Sequence, residues 1–153
     1  MKKALFALLI FISCFTLYSC EDNRSNDKVI SMFDEITSSM GGKVVVYNQK
    51  SAEVPKALIS LYGRDNNVPD ELALVDFAAV WYSNRMDAGD LAFFYVPNIS
   101  DIDSVKKMCQ RRANTIKYAA GIDMEIHTDG HFVYAYTINM KKFATSIVKT
   151  IKT

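Results

Sequence analysis

Apolar residues are distributed along this chain in two ways. Near the N-terminus they run together, from Ala4 to Leu17, fourteen residues without a charge. Further on they recur at intervals that name secondary structure. From Asn26 onward, Val29, Met32, Phe33, Ile36 and Met40 are spaced by three and four, so they share one face of a helix. Gly41 and Gly42 supply the residue type that ends helices. Lys43 to Tyr47 is short and β-branched and reads as a strand, followed by a turn from Asn48 to Ser51. Pro55 suits the first turn of a second helix; Leu58, Ile59, Leu61 and Tyr62 give its apolar face and Gly63 closes it. Arg64 to Asp70 is the one long polar loop.

The second half alternates differently. Pro69-Asp70-Glu71 can start a helix, yet Val75, Phe77, Val80, Trp81 and Tyr82 favour a strand over Leu74 to Tyr82. Asp87-Ala88-Gly89 is a turn. Leu91 to Val96 is almost wholly apolar, as in a central strand buried on both faces, and Pro97 ends it. Ser100 and Asp103 resemble a capping box for a helix running to about Tyr118, with Ile102, Val105, Cys109, Ala113 and Ile116 as its buried stripe and Gly121 beyond its end. Ile122 to Thr137 is a hairpin, and Lys141 to Ile151 a last helix with Phe143, Ile147 and Ile151 spaced by four. The order strand-strand-helix occurs twice, which suggests a structural duplication, although no sequence repeat accompanies it. The fold expected is one α+β domain: a mainly antiparallel sheet of about five strands with helices packed against it.

The continuous run needs a separate account. As a helix it spans about 21 Å, short of the roughly 30 Å hydrocarbon core of a bilayer, and polar Glu21, Asp22, Asn23 and Arg24 prevent its extension. Lys2 and Lys3 precede it as a positive n-region. Leu17-Tyr18-Ser19-Cys20 resembles the lipobox of bacterial lipoproteins, with Tyr18 where a small residue is usual. The expectation is a lipoprotein signal peptide over 1–19, a lipidated tether over 20–26 starting at Cys20, and the domain over 27–153. Two or more acyl chains, palmitate among them, would hold the protein stably on a membrane, with the domain in the cell envelope outside the cytoplasm.

That cleavage leaves 134 residues, enough for one domain with a core of its own. Loss of Lys2 and Lys3 changes the formal net charge from +1 to −1, which argues against nucleic acid as a partner. Of three cysteines, Cys14 leaves with the signal and Cys20 carries lipid, so Cys109 is left without a disulfide partner. Its place in an apolar stripe reads as structural rather than reactive.

Candidate chemistry is sparse. His127-Thr128-Asp129-Gly130-His131 lies at the hairpin mouth. A three-residue loop would set His127 opposite His131, with Met124 and Ile126 against the aromatics Tyr134 and Phe132, and would leave both histidines and Glu125 on a polar face. Those three side chains are candidate metal ligands, although a closed structural zinc site needs four. Lys106, Lys107, Arg111 and Lys117, together with Arg112, form a basic strip on the long helix that could face anionic headgroups. Trp81, Tyr82, Phe93, Phe94, Tyr95, Phe132, Tyr134 and Tyr136 supply either core or the lining of a ligand groove. No Gly-x-Ser-x-Gly elbow and no phosphate-cradling glycine loop is present, and nothing requires a cofactor.

Taken with the anchor, three segments carry a resemblance: Ile59-Ser60-Leu61-Tyr62-Gly63, Gly89-Asp90-Leu91-Ala92-Phe93-Phe94, and the helix through Arg111-Arg112. Over about Val29 to Ile151 the chain resembles the small bacterial lipoproteins known as a domain of unknown function (number 4358), with Asp90 where a longer acid is expected. The resemblance implies location and architecture and brings no catalytic residue. The function expected is therefore that of a lipid-anchored envelope protein acting as a binding module, partnered by the membrane through Cys20 and by an envelope protein. The alternative is a metal-binding protein or metal-dependent enzyme using the histidine hairpin.

Overall fold

A computed structural model describes residues 26–51, 53–85 and 89–152; the apolar run, Cys20 and nearly all of the tether lie outside the described residues. Helix α1 covers 26–40 and buries Val29, Phe33 and Ile36, whereas Met40, at the end of the expected stripe, is exposed. Its last turn closes through Gly41, whose N–H donates to the Thr37 carbonyl at 2.8 Å with φ at 73°.

Five strands follow: β1 (Lys43–Asn48), β2 (Phe77–Tyr82), β3 (Asp90–Tyr95), β4 (Met124–Asp129) and β5 (Phe132–Thr137). They form one antiparallel sheet in the order β1-β2-β3-β5-β4. Three further helices are α2 (Lys56–Tyr62), α3 (Ile102–Ala120) and α4 (Lys141–Ile151). The expected α+β domain is thus the observed one.

The sheet is covered on both sides. On one face Ala78, Val80, Ala92, Phe94, Val133 and Ala135 meet Leu58 and Tyr62 of α2 and Val105, Met108 and Cys109 of α3. On the other, Phe77, Ala79, Trp81, Leu91, Phe93 and Tyr136 meet α1 and Ala144 and Ile147 of α4. This double cover explains why β2 and β3 are apolar at nearly every position instead of alternating.

Several local expectations are corrected. Residues Asp70–Leu74 form a 3₁₀ turn, and β2 starts only at Phe77. The long helix is preceded by a 3₁₀ turn over Ile99–Asp101, which Asn98 caps, its Oδ1 accepting from the Ser100 N–H at 3.3 Å; α3 itself follows Asp101 with no side-chain cap, so Ser100 and Asp103 form no capping box. Gly63 ends α2 with an ordinary φ of −74°. Glycine is needed there because a Cβ would lie 2.3 Å from the Asn67 carbonyl oxygen. The two strand-strand-helix units put α3 and α4 on opposite faces while β3 and β5 run antiparallel as neighbours. No rotation superposes units so arranged, so the repeated order is not a duplication.

Candidate functional site

The hairpin register differs from the one expected. Glu125 pairs with Tyr136, His127 with Tyr134, and Asp129 with Phe132. Gly130 and His131 make a two-residue turn, with Gly130 leading at φ 56°. The histidines are therefore not cross-strand neighbours. The physical reason lies in β5, where Val133 and Ala135 are fully buried on the α3 side and Met124 and Ile126 pack into that same core. The three aromatics of β5 go to the α4 side, and Glu125 and His127 go with them.

There the polar groups converge on one carboxylate. Glu125 Oε2 accepts from the Tyr136 hydroxyl at 2.7 Å and lies 3.0 Å from His127 Nε2. The Lys141 ammonium reaches Oε1 at 3.1 Å. Hydrogen bonds from Tyr136, His127 and Lys141 hold the Glu125 carboxyl down to about 2. Burial first, and then this carboxylate, push the Tyr136 phenol well above its ordinary value. The His127 ring lies near-parallel against two adjoining tyrosines, 5.4 Å from Tyr134 and 5.5 Å from Tyr136. His131 has other partners: its Nδ1 lies 3.0 Å from the Val96 carbonyl oxygen, a contact that puts the proton on Nδ1, and its ring lies beside Tyr95. Among the described residues no three His, Cys, Asp or Glu side chains converge as a metal-ligand set.

A groove runs between this hairpin and α4. One cavity of about 270 Å³ is lined by Phe93, His131, Phe132, Tyr134, Val148 and Ile151, among others. A second, of about 140 Å³, is lined by His127, Tyr134, Tyr136, Thr145 and Val148. Tyr134 and Val148 belong to both, so the two adjoin. An ion pair between Lys152 and Asp129 ties the end of α4 to the hairpin turn. The groove offers an aromatic and aliphatic interior with charged groups at each end, an arrangement suited to holding a mostly apolar guest by its length. Of the candidate groove aromatics, Phe93, Phe132, Tyr134 and Tyr136 line it, while Trp81 and Phe94 are fully enclosed core.

The basic strip is mostly occupied. Lys106 lies 3.8 Å from Asp103, Arg111 forms a two-pronged pair with Glu71 at 2.8 and 2.9 Å, and Lys117 meets Asp123. Lys107 is exposed. Arg112 does not belong to an outer face: it is buried, and its Nε and Nη2 donate to Asp90 Oδ2 at 3.0 and 2.7 Å. A signal for this was present, because Arg112 stands three residues after Cys109 and four before Ile116, in line with the buried stripe. Cys109 is free and buried, and burial drives its thiol far above its ordinary value, away from reactivity.

Comparison of the chain with protein-family models, curated proteins and solved structures yields no match.

Proposed function

We propose that the chain is a lipid-anchored cell-envelope protein, held by acyl chains on Cys20, whose domain is a binding module. The observation that carries the binding role is the groove between the β4–β5 hairpin and α4, with Phe93, Phe132 and Tyr134 inside and Glu125, His127 and Lys141 at one end. The anchor rests on the order of charge, apolar run and Leu17-Tyr18-Ser19-Cys20, and on the resemblance to small bacterial lipoproteins of the domain of unknown function numbered 4358. No helix among the described residues is long and apolar enough to cross a membrane.

The test is native mass spectrometry of the full chain, extracted from its own membranes in mild detergent. The expected species begins at a lipid-modified Cys20 and carries a guest that is lost when Val148→Trp fills the groove. An unmodified chain beginning elsewhere would refute the anchor. A guest retained unchanged by the Val148→Trp variant would refute the groove.

A further inference from the structure

We infer that a second site, at the C-terminal end of α2, binds the phosphate group of a phosphate-bearing ligand between Arg64, Arg111 and Arg112. A cavity of about 300 Å³ lies there, and Tyr62, Arg64, Arg111, Arg112, Asn114 and Thr115 are among its lining residues. Three of the lining residues are arginines and none is acidic.

Two of these arginines are held by acids that do not line this cavity, although Glu71, with Asp65 and Asp70, lines an adjoining one that shares Tyr62, Arg64 and Arg111 with it. Asp90 engages Nε and Nη2 of Arg112 and leaves Nη1 over. Glu71 engages Nη1 and Nη2 of Arg111 and leaves Nε, which is buried and has no hydrogen-bond partner among the described residues. A guanidinium held on one edge by a carboxylate has lost its side-chain freedom, and Arg112 keeps an Nη1 that Asp90 does not take, a prepared state for an oxyanion.

Tyr62 adds an independent sign. The residue is 3 % exposed, its hydroxyl lacks a partner among the described residues, and it lines this cavity. Burial, reinforced by the Asp90 carboxylate, keeps its phenol protonated, so the group is a donor. Buried donors are rarely left unmatched, and a phosphate oxygen is a suitable acceptor. Asn114, whose Oδ1 is taken by Gln110, has its amide N–H₂ to offer at the rim.

The experiment is calorimetric titration of the full chain with inorganic phosphate at fixed ionic strength, with acetate as the control anion. Phosphate should bind and acetate should not. Arg64→Gln and Asn114→Asp change exposed positions and should each weaken phosphate about tenfold with the fold intact. Tyr62→Phe should weaken it while leaving the melting temperature the same or higher, because the lost hydroxyl had no partner. Co-sedimentation with phosphatidylglycerol vesicles separates the sources. Retention that Asn114→Asp abolishes assigns a lipid headgroup, and phosphate binding without retention assigns a soluble phosphoester. Failure of both wild-type assays, equal binding of acetate, or affinity unchanged in Arg64→Gln and Asn114→Asp overturns the site.

Discussion

Asp90 is the first residue of β3 and is 1 % exposed. Its backbone is fixed by Thr137, whose Oγ1 accepts from the Asp90 N–H at 3.0 Å and donates to the Asp90 carbonyl oxygen at 3.2 Å. Burial raises its carboxyl, and the Arg112 guanidinium opposes that rise. Breaking such a pair from one side strands a charge, whereas replacing both partners with apolar residues does not. Arg112→Met should therefore lower stability by about 3–5 kcal/mol in urea unfolding, and the double variant Asp90→Leu/Arg112→Met should recover most of the loss. A double variant as unstable as the single one would show that the pair is needed for packing rather than for charge.

Glu125 behaves in the opposite sense. Its folded value of about 2 lies below the ordinary unfolded value of about 4.3. The stability it contributes is fully present above the unfolded value and is lost as pH falls from about 4.3 towards 2. Glu125→Gln should melt below the wild type at pH 6 and together with it near pH 2; a gap that persists at pH 2 would assign the effect to shape instead. Only part of this chemistry was legible. Glu125 and His127 stand out as residue types, but Tyr136 and Lys141 join them only once the register and the position of α4 are known. Asp90 stands between the expected turn at Asp87-Ala88-Gly89 and the apolar run from Leu91, where nothing in the sequence marks an acid as buried, although the structure buries it.

At the scale of elements, spacing was a good guide wherever one face is buried. The stripes of α1, α3 and α4 lie close to where period 3.6 puts them, and the central position of β3 follows from its unbroken apolar run. It was a poor guide on β5. There the aromatics Phe132, Tyr134 and Tyr136 face one helix layer and the small Val133 and Ala135 face the other. With both faces covered, the apolar set no longer identifies the inside, and the register has to be fixed by size: small residues where α3 is close, aromatics where α4 leaves a groove. The α1–β1 junction gives a sharper case, which composition alone cannot separate. Gly41 and Gly42 both have positive φ, 73° and 85°. A Cβ on Gly41 meets nothing within 4 Å, whereas one on Gly42 lies 2.8 Å from the Trp81 ring and from the Tyr82 carbonyl oxygen. Gly41→Ala should cost about 1–2 kcal/mol for its backbone alone. Gly42→Ala should cost about 2–5 kcal/mol once the clash is added. Trp81, the single tryptophan, donates through Nε1 to the Gly41 carbonyl at 2.9 Å, so its fluorescence reports the disturbance directly. Equal losses for the two variants would contradict the packing of Trp81 against this turn.

For the whole molecule, the sheet separates two cores, one beneath α2 and α3 and the other beneath α1 and α4. The aromatic groove opens on the α4 side and the arginine cavity on the α2–α3 side, so a guest in one need not exclude a guest in the other. The chain enters this body through α1, six residues after Cys20, so an anchored domain would stand close to its membrane. Six extended residues reach at most about 20 Å. On the proposed reading, the acyl chains alone provide the hold, at about 0.8 kcal/mol for each buried CH₂, and one sulfur atom decides it. Cys20→Ser should abolish incorporation of labelled palmitate, and Cys14→Ser should leave it unchanged, because on that reading Cys14 would be in the segment removed. Labelling that survives Cys20→Ser and disappears in Cys14→Ser would move the anchor to Phe11-Ile12-Ser13-Cys14, adding Phe15, Thr16 and Leu17 as an apolar stub to the mature protein. Absence of label in the wild type would remove lipid from the account, and the basic residues of α3 would then be the remaining candidates for membrane contact.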